Sequence, residues 1–205
     1  MPAKSIAVFA SGGGTNFQAI ADAIETGQIN GRIHVVITDN PDAGVIQRAE
    51  SMGIESVVIR PQSFQSQDDY ISKLVAILEY IDLIVLAGYM KLIPAEITRQ
   101  FQHRMVNIHP ALIPAFCGKG FYGMRVHRAV IDAGVKISGV TVHFVDEVYD
   151  HGPIIAQRTV PVTQDETPET LADKIHKIEH SLYPEVISLI CADRVRVDGN
   201  RVIIE

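Results

Sequence analysis

The sequence predicts an α/β fold: a three-layer sandwich whose mostly parallel sheet carries an antiparallel C-terminal extension. Three observations predict it. Short β-branched runs alternate with helical patterns through the first half, and such alternation builds right-handed crossovers around a parallel sheet covered on both faces. Two longer strand-like runs then flank a short acidic loop, the pattern of an antiparallel pair. The 205 residues are 47% hydrophobic, enough for one sizeable core. With no repeat, low-complexity tract or linker dividing the chain, residues 1–205 are expected to form a single domain.

Taken in order, Ser5–Ala10, Ile33–Thr38, Glu55–Ile59, Leu83–Leu86 and Met105–Asn107 are the early strand runs. Between them, about Thr15–Thr26, Ala43–Met52, Asp68–Tyr80 and Pro94–Phe101 place apolar residues near a 3.6-residue spacing and are expected to be helices. Thr15 and Asn16 follow three glycines and are expected to cap the first helix, while Gly27 and Gly53 stand where two helices should stop. Lys136–Val145 and Pro153–Val160 are the long strands flanking Asp146–Gly152. Thr167, as N-cap, and Pro168, at the first helical position, open a helix to about Asp193. Pro184 lies inside it, which predicts a kink or break near Tyr183. The tail, Val195–Val197 and Val202–Ile204, is a hairpin by its Asp198-Gly199 turn.

Composition narrows the function classes. Eighteen Lys and Arg against 24 Asp and Glu give a net charge of -6, the wrong sign for general attraction to nucleic acid. The most apolar stretch, Ile71 to Ile93, is interrupted by Lys73, Glu79, Asp82 and Lys91, so no membrane helix is expected. The short run Ile6 to Ala10 flows straight into glycines, as a first strand does and a signal peptide does not. Two cysteines, Cys117 and Cys191, form no metal or redox spacing, and a reducing cytoplasm is the expected setting.

Three segments carry candidate chemistry. In Ser11-Gly12-Gly13-Gly14-Thr15-Asn16, glycines let backbone N–H groups approach an anion at a helix N-terminus. The segment lacks the lysine of a P-loop, and Phe17 stands where a dinucleotide fingerprint needs its third glycine. Asn107 and His109, in Asn107-Ile108-His109-Pro110, end the fifth strand, where open α/β sheets bind ligands. If the strand continues through them they share a face, an amide donor beside an imidazole, which suits oxyanion stabilisation and proton management in acyl transfer. The third segment is the acidic loop Asp146-Glu147-Val148-Tyr149-Asp150; a carboxylate from it near His109 would raise that imidazole's pKa or hold a proton-carrying water. His176, Glu179 and His180 share a helical face without a metal-binding pattern, and no metal is expected. His34, His103 and His127 stand in no pattern of their own.

Together these segments resemble the glycinamide ribonucleotide formyltransferases of purine biosynthesis. The matching runs are Ser11–Asn16, Leu86-Ala87-Gly88-Tyr89-Met90-Lys91, Asn107–Pro110, Gly139–Val145, Asp150-His151-Gly152-Pro153 and Glu179-His180-Ser181-Leu182-Tyr183-Pro184, in family order across about residues 5–190. The resemblance implies the Rossmann-like form of the sandwich. It implies transfer of a formyl group from 10-formyltetrahydrofolate, a co-substrate, to the amine of glycinamide ribonucleotide, with no metal. By position it makes Asn107, His109 and Asp150 the catalytic set. Gly14, Thr15 and Asn16 would hold the substrate phosphate, and His176, Lys177, Ile178 and Glu179 would face the ribonucleotide. Met90, Lys91, Leu92, Ile93, Asn107 and the loop Asp146, Glu147, Val148, Tyr149 and Asp150 would line the folate pocket.

The chain departs from the family pattern in places. Ala111 stands where many relatives have Ser, Lys91 where they often have Arg, and Gln67 where an arginine is frequent. Lys119 to Val126 is a longer loop than in short-loop members. The alternatives are a 10-formyltetrahydrofolate hydrolase, in which water replaces the amine, a formyltransferase acting on another small amine, and a non-catalytic binding module on the same fold. Oligomeric state is not encoded in any pattern found.

Overall fold

The computed structural model describes residues 2–205. In chain order come β1 (Lys4–Phe9), α1 (Thr15–Glu25), β2 (Gly31–Thr38), α2 (Gly44–Ser51), β3 (Glu55–Val58), α3 (Gln67–Leu78), β4 (Leu83–Leu86), α4 (Ala95–Gln100) and β5 (Met105–His109). They are followed by α5 (Met124–Asp132), β6 (Ile137–Phe144), β7 (Ile154–Pro161), α6 (Pro168–Cys191), β8 (Val195–Asp198) and β9 (Arg201–Ile204). Each strand and helix expected from the sequence is present, its ends moved by one or two residues. The expected set lacked α5, whose buried Val126, His127 and Val130 follow the helical spacing.

A seven-stranded sheet runs in the order β3-β2-β1-β4-β5-β6-β7, with a separate two-stranded β8-β9 sheet. Neighbours from β3 to β5 are parallel, and β6 and β7 add antiparallel. The period-two alternation of β1 shows how the layers form. Ile6 and Val8 face a core with Phe17 and Ile20 of α1 and Leu171, Ile175 and Tyr183 of α6. Ala7 and Phe9 face the other core, with Tyr70 and Leu74 of α3 and Ile97 of α4. Both faces of β1 are therefore dry, which is why its sequence is a near-continuous apolar run.

The chain turns outward from β1 in two directions, through β2 to β3 on one side and to β4 and β5 on the other. The β1/β4 boundary is thus a topological switch point, and open α/β sheets bind ligands outside the strand carboxyl ends at such a point. Two of the three segments with candidate chemistry lie there, the glycine turn after β1 and the end of β5, beside the loop after β4, and the acidic loop joins them from the β6–β7 connection.

Three local expectations are corrected. Neither Thr15 nor Asn16 caps α1; the N-cap is Gly14, at φ 74° and ψ 29° with no side-chain cap, so Thr15 already lies in the first turn. Of the kink or break expected near Tyr183, the break does not occur: α6 is one helix from Pro168 to Cys191. Burial holds it: Tyr183 and Pro184 are both buried, and the Tyr183 hydroxyl reaches the Leu86 and Val106 carbonyls at 2.9 and 3.1 Å, pinning the helix to β4 and β5. The terminal hairpin turns one residue later than Asp-Gly, since Asp198 pairs with Arg201 and Gly199, at φ 58°, takes the first central position. The Thr167–Pro168 opening of α6 is as expected, with a Thr167–Thr170 capping box. No helix among the described residues is long and apolar enough to cross a membrane.

Candidate active site

The glycine turn after β1 is built for close approach. Gly14 needs its positive φ, and a Cβ there would lie 2.8 Å from the Cβ of Val45. Beside Gly12 and Gly13 there is open space. No acidic residue occupies the first turn of α1, so the partial positive charge of the helix N-terminus is left uncancelled. The Arg48 guanidinium braces the turn from α2, donating from Nε to the Gly13 carbonyl at 2.8 Å. The turn forms one side of a cleft of about 210 Å³ also lined by Gly88, Met90, Pro110, His127, His176 and Glu179.

Asn107 and His109 share a face of β5, as two-residue spacing on a strand requires, and Asp150 meets both. Asp150 lies 43 residues from Asn107 in sequence; its Oδ1 accepts from Asn107 Nδ2 at 3.4 Å and its Oδ2 lies 3.5 Å from His109 Nδ1. The chain turns sharply to bring it there, with Asp150 itself at φ 54°. The Gly118 N–H donates to Oδ2 at 2.8 Å. Antiparallel pairing sets His143 opposite Asn107, so that His143 Nε2 is 3.2 Å from Asn107 Nδ2 and 3.7 Å from Asp150 Oδ1.

Carbonyl partners fix the tautomers, since a carbonyl only accepts. His143 Nδ1 is 2.8 Å from the Phe144 carbonyl and donates to it, with Nε2 turned to Asn107 and Asp150. His109 Nε2 is 2.9 Å from the Phe116 carbonyl and donates to it, which leaves Nδ1 facing Asp150. Burial lowers the pKa of His109 below its ordinary value, and the opposing pull of Asp150 and the Phe116 carbonyl does not restore it. The expected effect of the carboxylate has the right sign, but desolvation outweighs it because the imidazole is only 3% exposed. His109 is therefore neutral at neutral pH. Burial acts on Asp150 too, raising its pKa, but the hydrogen bonds from His143 and the Gly118 N–H hold it below the ordinary carboxylate value.

Asn107, His109 and Asp150 line a larger pocket of about 410 Å³ together with Met90, Lys91, Leu92, Ile93, Asp146, Val148 and Tyr149. The long loop after β5 adds Lys119, Phe121 and Tyr122 to its lining. Gly88, Met90, Ile108, Pro110 and Gly123 line both pockets, so the two cavities meet at a common wall beside His109. Glu179 is 5% exposed and accepts a bond of 3.1 Å from Asn16 Nδ2; burial pushes its pKa up to about 7.

Three residues expected at the site lie elsewhere. Glu147 points out to Arg99 and pairs with it at 2.6 Å. Lys177 is exposed, and Ile178 packs against the core, because one turn of α6 presents only His176 and Glu179 to the cleft. Conversely, His143 and His127 were not among the expected site residues. For His143 the only signal was its place in a matching run; for His127, none. Among the described residues no group of three or more His, Cys, Asp or Glu is placed to hold a metal.

Two pockets that share a wall beside a buried His, itself flanked by a half-buried Asn and Asp, suit transfer of a small acyl group. Comparison with known proteins supports that chemistry: the formyl transferase family matches residues 4–187. The chain belongs to the formyl transferase family. Within this family it is 45% identical over 202 residues to a chloroplastic phosphoribosylglycinamide formyltransferase of Arabidopsis thaliana, covering 96% of this chain and 69% of that one. It is 40% identical over 186 residues to the Bacillus subtilis phosphoribosylglycinamide formyltransferase, covering 90% and 93%. The crystal structure of glycinamide ribonucleotide transformylase 1 from Symbiobacterium toebii superposes with a TM-score of 0.91 at 41% identity, over 98% of this chain and 94% of that one. A formyltetrahydrofolate deformylase of Pseudomonas syringae shares the formyl transferase fold, with a TM-score of 0.87, at 24% identity and over 66% of its own chain.

Proposed function

We propose that this formyl transferase moves the formyl group of 10-formyltetrahydrofolate to the amine of glycinamide ribonucleotide, giving formylglycinamide ribonucleotide and tetrahydrofolate in de novo purine biosynthesis. The observation that carries the proposal is the wall that the two cavities share beside His109. One has a helix N-terminus fit for a phosphate; the other has apolar walls and backbone groups fit for a pterin. Met90–Ile93, Asp146, Val148 and Tyr149 take the folate, and Gly14–Asn16, His176 and Glu179 take the ribonucleotide. Residues 1–205 act as one formyltransferase domain. Cys117 and Cys191 are both free thiols, in keeping with a reducing cytoplasm.

The chemistry follows from the protonation states. The amine nitrogen attacks the formyl carbon, and negative charge grows on the formyl oxygen. Asn107 can re-aim Nδ2 at that oxygen by giving up its long bond to Asp150, while His143 keeps the amide oriented. The attacking nitrogen must lose a proton and the folate N10 must gain one as its bond to carbon breaks. Asp150, ionised at neutral pH, receives a proton directly or through water, and neutral His109 can take it at Nδ1 and pass it on. Asp150 stabilises the resulting imidazolium by opposite charge.

The test mixes purified protein with 10-formyltetrahydrofolate, with and without glycinamide ribonucleotide, and identifies products by mass. A formylated ribonucleotide formed together with tetrahydrofolate is expected. Release of formate at the same rate without the ribonucleotide would assign the hydrolase activity instead.

A further inference from the structure

His127 has a buried hydrogen-bonding group that the fold leaves unused. It is 2% exposed, and its Nδ1 is shut away from solvent with no hydrogen-bond partner. Such a group costs free energy unless something else meets it. The ring lies on the wall of the cleft that also holds Gly14, Thr15 and Asn16. It stands edge-on to His176, with centroids 6.4 Å apart, and shares the cleft wall with Ile108 and Pro110, which flank His109. His127 thus sits between the phosphate end of the cleft and the reacting end.

We propose that His127 is a specificity-determining residue that hydrogen-bonds a hydroxyl of the acceptor's ribose. This rests on the ribonucleotide reading above and deepens it. The ribose is the part of the acceptor that must lie between a phosphate at Gly14–Asn16 and an amine at His109. Burial, with His176 and His109 nearby, pushes the His127 pKa down to about 4, so the ring is neutral at neutral pH. A neutral imidazole offers one donor and one acceptor, as a hydroxyl does, whereas a phosphate only accepts and is held best by cations and N–H groups.

His127→Phe keeps a flat ring and removes both nitrogens. It should raise the acceptor KM about tenfold, with the 10-formyltetrahydrofolate KM changed less than twofold and kcat far less affected than the acceptor KM. The 2′-deoxy and 3′-deoxy acceptors then identify the contact: the wild type should lose about tenfold in kcat/KM on one of them, and His127→Phe should lose almost nothing further on that one. Inorganic phosphate, as a competitor, should inhibit both proteins equally. An unchanged acceptor KM, equal losses on both deoxy acceptors in variant and wild type, or weakened inhibition by phosphate would each overturn the proposal. A fourth measurement depends on neither folding of the variant nor turnover. Titrating 15N-histidine-labelled wild type with ribose 5-phosphate should shift the His127 ring nitrogens, and shifts that stay fixed at saturation overturn the contact. If the protein fails to formylate glycinamide ribonucleotide yet these nitrogens shift, the proposed function fails and the sugar contact stands.

Discussion

Glu179 places a titratable group in a dry part of the acceptor cleft, and its replacement by glutamine should separate binding from stability. Burial raises the carboxyl from 4.5 to about 7 in the folded chain, against the lesser opposing pull of Asn16. The unfolded chain loses this proton near pH 4.5, whereas the folded chain holds it up to about pH 7. Over that window the native state binds the extra proton, so stability falls as pH rises, and the fall is complete once the folded group has ionised. A difference of roughly two and a half pKa units corresponds to about 3 kcal/mol. Glu179→Gln keeps an oxygen for Asn16 and removes the ionisation. Relative to wild type it should therefore gain about 3 kcal/mol between pH 4.5 and pH 8, or roughly 6 to 12 °C in Tm for a chain of this size. Urea unfolding of both proteins across that range, together with acceptor KM at pH 7.5, is the assay. The variant should be more stable at pH 8 and, on the proposed function, bind the ribonucleotide more weakly, because it has lost the carboxylate that lines the cleft. A stability difference that does not change with pH would refute the burial argument, and an unchanged acceptor KM would remove Glu179 from the binding site.

Other outcomes follow from the same geometry. His109→Ala should lower kcat by about two to four orders of magnitude and Asn107→Ala by about two; a folded variant with near-normal kcat while chemistry is limiting would strip that residue of its role. Asp150→Asn removes the charge that favours the His109 imidazolium, so the already low His109 pKa should fall further. If tuning is the role of Asp150, the pH below which kcat falls moves down with the His109 pKa, and if proton relay is, kcat is lost at every pH; wild-type kcat with an unmoved His109 titration by NMR would eliminate both. Gly13→Val should block the phosphate cradle without strain, since nothing lies within 4 Å of its added Cβ, and raise the acceptor KM alone. Gly14→Val meets Val45 at 2.8 Å and a positive φ, and should lose stability as well; equal stability of the two variants in urea would contradict this. Tyr183→Phe, deprived of its contacts to the Leu86 and Val106 carbonyls, should cost about 1–2 kcal/mol in the same assay, and a smaller change would mean that the hydroxyl does not anchor α6.

The sequence by itself determined the layers. Strand runs buried on both faces, helices with one apolar face, and the Thr167–Pro168 start of α6 are local patterns, each legible within about ten residues. It also placed Asn107 and His109 on one side of a strand end, because the period of two is a property of the backbone. Tertiary structure alone decided the rest. Asn107 and Asp150 are 43 residues apart, Asn16 and Glu179 are 163 apart, and only the register of β5 against β6 sets His143 beside Asn107. Pro184 reads locally as a helix breaker, yet packing against the sheet keeps α6 whole. Glu147 belongs to the acidic loop by sequence, but the path of that loop turns it toward Arg99. The protonation of His109 shows the division most clearly. A neighbouring carboxylate is a pairwise effect that residue types can suggest, but desolvation sums over every atom that displaces water from the imidazole. That sum exists only once the chain is folded, and here it is the larger effect.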